Sequence, residues 1–151
     1  MENINIKGMF RIHITEDGKI VGDSGWVENQ VTNLGFNQYL VSSLGSIAGS
    51  KYISHVGLGT GGAPAAGDTS LAGETDKRTS VTAATAAGSK TLRLTATFGS
   101  SDSFVTAARN ISNIGLFNTS AGGTIFAGNT YASSSCATNQ DVNATYDIIF
   151  A

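Results

Sequence analysis

The chain contains one proline, one cysteine, few charges and no long apolar run, and each shortage excludes a class of protein. The lone cysteine, Cys136, cannot build an internal disulfide framework or a cysteine-only metal centre, and reads as an inert thiol. Lys, Arg, Asp and Glu make up 13% of the residues, about half the usual share. The nine basic residues are scattered between Lys7 and Arg109 and the formal net charge is −2. No cationic stripe exists to neutralise a phosphate backbone, so nucleic acid is not an expected partner. No apolar stretch approaches the roughly 20 residues that cross a bilayer, so no membrane partner is expected either. The start, MENINIKGMF, does not read as a secretion signal, because no basic segment leads into an apolar one.

What is present in quantity is glycine, 19 of 151 residues, together with Ala, Ser, Thr and Asn, a composition that implies a neutral, hydroxyl-rich surface around one core. The clearest local signal is a hairpin over 8–23: Phe10, Ile12 and Ile14 alternate with Arg11 and His13, and Asp17-Gly18 supplies a positive-φ turn. Behind Thr32 or Asn33 as a cap, Phe36, Leu40, Leu44 and Ile47 recur at spacings of four and three, which predicts one helix over about 33–48. A strand follows over Tyr52–Leu58, then a long loop, 59–75, around Pro64. Two further hairpins are expected, 78–86 with 90–98, and Asn110–Asn118 with Thr124–Tyr131. The last strand carries Val142, Ala144, Tyr146, Ile148 and Phe150 at alternate positions. Seven or so short strands and one helix predict a mainly β, single-domain antiparallel sandwich or jelly-roll-like fold. Ile53-Ser54-His55-Val56-Gly57-Leu58 is echoed by Ile111-Ser112-Asn113-Ile114-Gly115-Leu116, two similarly placed core strands, each with glycine at a close approach.

Residues 57–62, GLGTGG, spell GxGxxG. A dinucleotide fingerprint needs a helix immediately after the glycines, so that its N-terminal N–H groups face the pyrophosphate. Here Ala63, Pro64, Ala65, Ala66, Gly67 and Asp68 follow without apolar periodicity, and no lysine completes a Walker motif. The glycines are therefore expected to open a wide, flexible loop, with no cofactor. His13 and His55 have no metal-ligand spacing and no serine lies in a nucleophile elbow. Asp68, Glu74 and Asp76 could in principle serve glycoside hydrolysis or hold Ca²⁺, but beside Lys77 and Arg78 they read as a solvated loop. Trp26, Tyr39, Tyr52, Tyr131 and Tyr146 would form a sugar-stacking platform if exposed, although most fall on apolar faces expected to be core. No catalytic residues are assigned.

The order WVENQVTNLGFNQYL, YISHVGLGTGGAPAAGDTSLAGE, Arg78, a strand ending TATF, and ISNIGLFNTSAGGTIFAG resembles small virion proteins of tailed bacteriophages, over residues 26–128. Its most specific parts are the GLGTG…AP…DTSL loop and the IGLFN…GGTIFA hairpin. The resemblance implies a β-rich structural protein of the virion, made in the bacterial cytoplasm, without enzymatic activity. Its partners would be other capsid or tail proteins. A capsid decoration or cement role is expected, as a homo-oligomer with a trimer favoured; the alternative is a tail or fibre module that recognises a cell-surface glycan, with Asn129 and Tyr131 as a candidate exposed pair. Assembly contacts are expected at Gly59, Thr60, Gly61, Gly62, Pro64 and Asp68 in the loop, and at Asp17 and Gly18 on the N-terminal hairpin, an assembly arm. Removing 60–70 is expected to leave a folded monomer that no longer binds its particle.

Overall fold

A computed structural model describes residues 3–151, the side chain of Ser133 apart. It is mainly β, with eleven strands in two antiparallel sheets. The first sheet joins β1 (Ile6–Glu16), β2 (Lys19–Asp23), β3 (Val27–Glu28), β7 (Thr82–Ala84), β8 (Thr91–Phe98) and β11 (Asp141–Phe150), in the order β2-β1-β11-β8-β7 with β3 also on β1. The second runs β4 (Gln30–Val31), β10 (Ile125–Cys136), β9 (Arg109–Phe117), β5 (His55–Gly59) and β6 (Thr79–Ser80). Chain neighbours pair within one sheet, as β1–β2, β7–β8 and β9–β10, which makes a sandwich of in-sheet hairpins.

Period-two patterning places the core. Phe10, Ile12 and Ile14 on β1, Leu94, Ala96 and Phe98 on β8, and Val142, Ala144, Tyr146 and Ile148 on β11 all point inward. They meet Leu58, Ile111, Ile114 and Leu116 from the second sheet in one cluster. The outer face of the first sheet carries the intervening polar residues, where Arg93 holds Asp147 bidentately at 2.8 and 2.7 Å across β8 and β11. Asp17 and Gly18 have φ of 48° and 76°, the left-handed pair that a two-residue hairpin of this twist requires.

The helix is shorter and wider than the spacing predicts. Here α1 is a π-helical stretch, Gly35–Val41, running into an α turn, Ser42–Leu44. Thr32 begins it: its buried hydroxyl accepts from Gly35 N–H at 2.9 Å and donates to the Ile125 carbonyl at 2.8 Å, linking helix and β10. The buried face is Gly35 and Tyr39, because Gly35 sits directly on the Phe126 carbonyl. The predicted stripe lies to one side. Leu40 is half-buried, while Phe36, Leu44 and Ile47 are exposed.

Two other boundaries shift. Strand β5 begins at His55, leaving Tyr52 exposed, since residues before it are tied to the helix by Lys51 N–H donating to Gln38 O at 2.8 Å. The predicted strand 78–86 divides at Val81: β6 pairs with β5 in the second sheet, whereas β7 pairs with β8 in the first.

A methyl at Gly35 would lie 2.2 Å from the Phe126 carbonyl oxygen, and backbone cannot yield as a side chain can. We expect Gly35→Ala to destabilise the fold by about 2–4 kcal/mol. Gly62→Ala, with nothing within 4 Å of the added carbon, should stay within about 0.5 kcal/mol. Urea unfolding of the two variants checks both.

Candidate functional site

The glycines at 57–62 begin on β5 and continue into the long loop. The echoed segments are not merely alike; they are partners, with Val56 opposite Leu116, Gly57 opposite Gly115 and Leu58 opposite Ile114. The repeat is thus a local two-fold centred on two facing glycines. Across both lies the ring of Phe117, whose Cε2 would be 3.0 Å from a Cβ at Gly57 and 3.1 Å from one at Gly115. Arg78 stacks over this ring, its Cζ 3.4 Å from the ring centre.

The same guanidinium ties the loop to the neighbouring turn. Its Nε and Nη2 donate to the two carboxylate oxygens of Glu74, the second bond at 3.0 Å. Its Nη1 donates to the carbonyls of Thr119 and Gly122 at 3.0 and 2.7 Å. The Arg78 side chain is 5% exposed, so these bonds replace hydration that the cation has lost. Leu71, Phe117 and Ile125 form a small second core beneath.

Two of the backbone N–H groups that a phosphate cradle would offer, those of Thr60 and Gly61, are already used. Thr60 N–H donates to Gly73 O at 3.0 Å and Gly61 N–H to Ala72 O at 3.2 Å, while Thr75 N–H returns to Leu58 O at 2.8 Å. Asn113, buried on β9, donates to the carbonyls of Gly62 and Ala72 at 3.0 and 2.9 Å. A Cβ at Gly59 would meet Asn113 Oδ1 at 2.4 Å, and one at Gly61 the Ala72 carbonyl oxygen at 2.5 Å. Close strand-to-loop approach is what these two glycines permit.

The loop is therefore not the wide, flexible one the sequence predicts. It is bonded along its length, further down through Asn33 N–H to Ala66 O and Ile125 N–H to Thr69 O. Of the expected contact residues, Gly59 and Pro64 are buried and Gly61 is half-buried, whereas Thr60, Gly62 and Asp68 are exposed, as are Asp17 and Gly18 at the hairpin tip. Excising 60–70 would strip Pro64 from against Gly128 and remove the bonds from Thr60 and Gly61 to 72–73, contacts within the fold itself.

The three loop carboxylates do not converge. Asp68 accepts from Ala65 N–H at 2.8 Å, Glu74 is held by Arg78, and Asp76 lies 3.7 Å from Arg109. Glu74 is an internal ion-pair partner, not part of a solvated loop. Among the described residues no three His, Cys, Asp or Glu side chains gather as for a metal ion. Cys136 is buried, and burial pushes its thiol above the ordinary range. Tyr39, Tyr131 and Tyr146 are core as expected, but Trp26 and Tyr52 are exposed.

Beside Arg78 opens a polar cleft of about 320 Å³, lined by His55, Lys77, Ser80 and Asp102 among others. Sequence reasoning passed over it because its members come from three separate segments. The Ser54 hydroxyl lies 2.8 Å from His55 Nδ1. Burial, and secondarily the Arg78 charge, lowers the His55 pKa. Compared with protein-family models, curated proteins and solved structures, the chain matches none.

Two outcomes follow from this geometry. Arg78→Ala leaves the Glu74 carboxylate without its cation and uncovers Phe117, and should cost about 3–5 kcal/mol in urea unfolding; Arg78→Lys, lacking the planar fork, should recover only part. For His55, a folded pKa below the unfolded value means the unfolded chain takes up the proton first as pH falls, so stability declines as pH drops through about 6.5. His55→Gln should flatten that decline between pH 7.5 and 5.5, and an unchanged slope would count against the desolvation.

Proposed function

We propose that this chain is a structural component of a tailed-bacteriophage virion, a capsid decoration or accessory protein that acts by repeated contact and not by chemistry. One observation carries the reading: the two segments most specific to the resemblance form a single braced unit. The GLGTG…AP…DTSL loop and the IGLFN…GGTIFA hairpin are joined by the Gly57–Gly115 pairing, the Arg78–Phe117 stack, the bond from Ile125 N–H to Thr69 O, and Pro64 against Gly128. Such bracing turns a glycine-rich loop into a fixed shape, which repeated docking on a lattice requires.

The charge distribution agrees. Lys7, Arg11, Arg78, Arg93 and Arg109, five of the nine basic residues, are engaged with Glu28, Asp23, Glu74, Asp147 and Asp76. Little is left to steer a charged substrate. The glycan alternative is less well supported, since Tyr131 is buried and the Asn129 amide donates to the Glu28 carbonyl at 2.7 Å. Its partners in this reading are other virion proteins.

Quantitative mass spectrometry of purified particles should find the chain in tens to hundreds of copies; absence from particles sinks the proposal, and a handful of copies moves it to the tail. Gly62 and Gly67 have open space around them, so the double variant Gly62→Arg/Gly67→Arg should fold normally. It should nonetheless lose at least tenfold in particle binding, measured by co-sedimentation.

A further inference from the structure

The polar cleft beside Arg78 is lined by groups whose bonding capacity the fold does not use up. The Arg78 side chain, 5% exposed, spends Nε and Nη2 on the Glu74 carboxylate and Nη1 on two carbonyls. A guanidinium has five N–H groups, so one hydrogen of Nη2 is left without an acceptor among the described residues. A buried donor in that condition costs free energy unless something arriving from outside takes it. His55 is placed similarly: the Ser54 hydroxyl occupies Nδ1 at 2.8 Å, and Nε2 has no partner among the described residues. Ser80 stands opposite His55 across β5 and β6, and its hydroxyl is likewise uncommitted there. Lys77 is exposed and enters no ion pair among the described residues.

These groups, from His55 and the segment 77–80, line one cleft of about 320 Å³. Each can give a hydrogen, and Lys77 adds a positive charge that no described carboxylate answers. An oxyanion is the acceptor that satisfies such a set. Two further features narrow the class. Asp102, whose Oδ2 accepts from Gly99 N–H at 3.2 Å, also lines the cleft, so a singly charged group is favoured over a dianion. Phe98 and Phe104, ring centres 5.3 Å apart, give the lining an apolar part that a bare inorganic ion would not use. The volume is that of about ten waters, room for a small organic acid and not for a polymer.

We propose that this cleft binds a small organic monocarboxylate, held through its oxygens by Lys77, His55, Ser80 and the spare N–H of Arg78, with its apolar part towards Phe98 and Phe104. The site goes beyond the assembly reading, and it is tested on the isolated chain, so its failure leaves particle binding standing. Burial first, and the Arg78 charge second, disfavour the His55 imidazolium. Lys77, Arg78 and Asp102 are the charged groups lining the cleft around it, with Glu74 paired to Arg78. A bound carboxylate offsets the two disfavouring effects, so protonation and binding assist one another.

Benzoate, which stays ionised above about pH 5, is the probe. Titrated into the isotope-labelled chain and followed by NMR, it should shift the amides of His55, Lys77 and Ser80 and saturate with a Kd on the order of 1 mM. Benzamide, its neutral isostere, should bind at least tenfold more weakly. Lys77→Gln alters an exposed position, so it should keep the wild-type thermal melt yet lose at least fivefold in benzoate affinity. Wild-type affinity should rise about threefold from pH 7.5 to 5.5, and His55→Gln should remove that rise. No saturable shift, benzamide binding as tightly as benzoate, or an affinity indifferent to both Lys77→Gln and pH overturns the proposal. So does inorganic phosphate that displaces benzoate at lower concentration, which would assign the cleft to a dianion.

Discussion

The contact between Phe117 and Arg78, laid over two facing glycines, is the constraint on which the second sheet and its loop depend. A phenyl ring on a sheet's outer face would ordinarily be left half in water. Here the missing side chains at Gly57 and Gly115 let the ring lie down against the strands, and the guanidinium covers it. Arg78 can be buried because Glu74 neutralises it and two carbonyls of the 119–122 turn accept from its Nη1. Removing any one member exposes or orphans the others, so the residues behave as a unit.

From that unit the rest of the loop follows. With Glu74 fixed, the returning segment runs beside Thr60 and Gly61 closely enough to bond to them, and Asn113 fills the remaining acceptors. A run that matches a nucleotide-binding pattern letter for letter is thereby a packing device. The same residue type serves both uses because both need backbone to come close to something, a phosphate in one case and a neighbouring carbonyl in the other.

The two ends of the sandwich are finished differently. The outer face of the second sheet is sealed by the braced loop, whereas the end beneath α1 is left with apolar side chains in water. The charge pairing across β8 and β11 keeps the outer face of the first sheet polar.

Much of the architecture was legible in the residues alone. Alternation along β1 and along β11 as far as Ile148 named the inward side chains, and Asp17-Gly18 marked its turn, because strand period and positive φ are local properties. The echo about Gly57 and Gly115 was visible as a repeat, but pairing of the two copies with each other required the register between distant strands. Helical spacing located α1 yet misjudged its buried face, since only the fold brings Gly35 onto the Phe126 carbonyl and leaves Leu44 with no neighbour to cover it. The carboxylates of the long loop looked like a cluster because they are near in sequence; the tertiary structure sends each to a different cation or amide. Local patterning thus determined which segments are strands and which side chains face inward, while partner choice over long range, set by burial and by the need to satisfy each buried polar group, decided what the glycines are for.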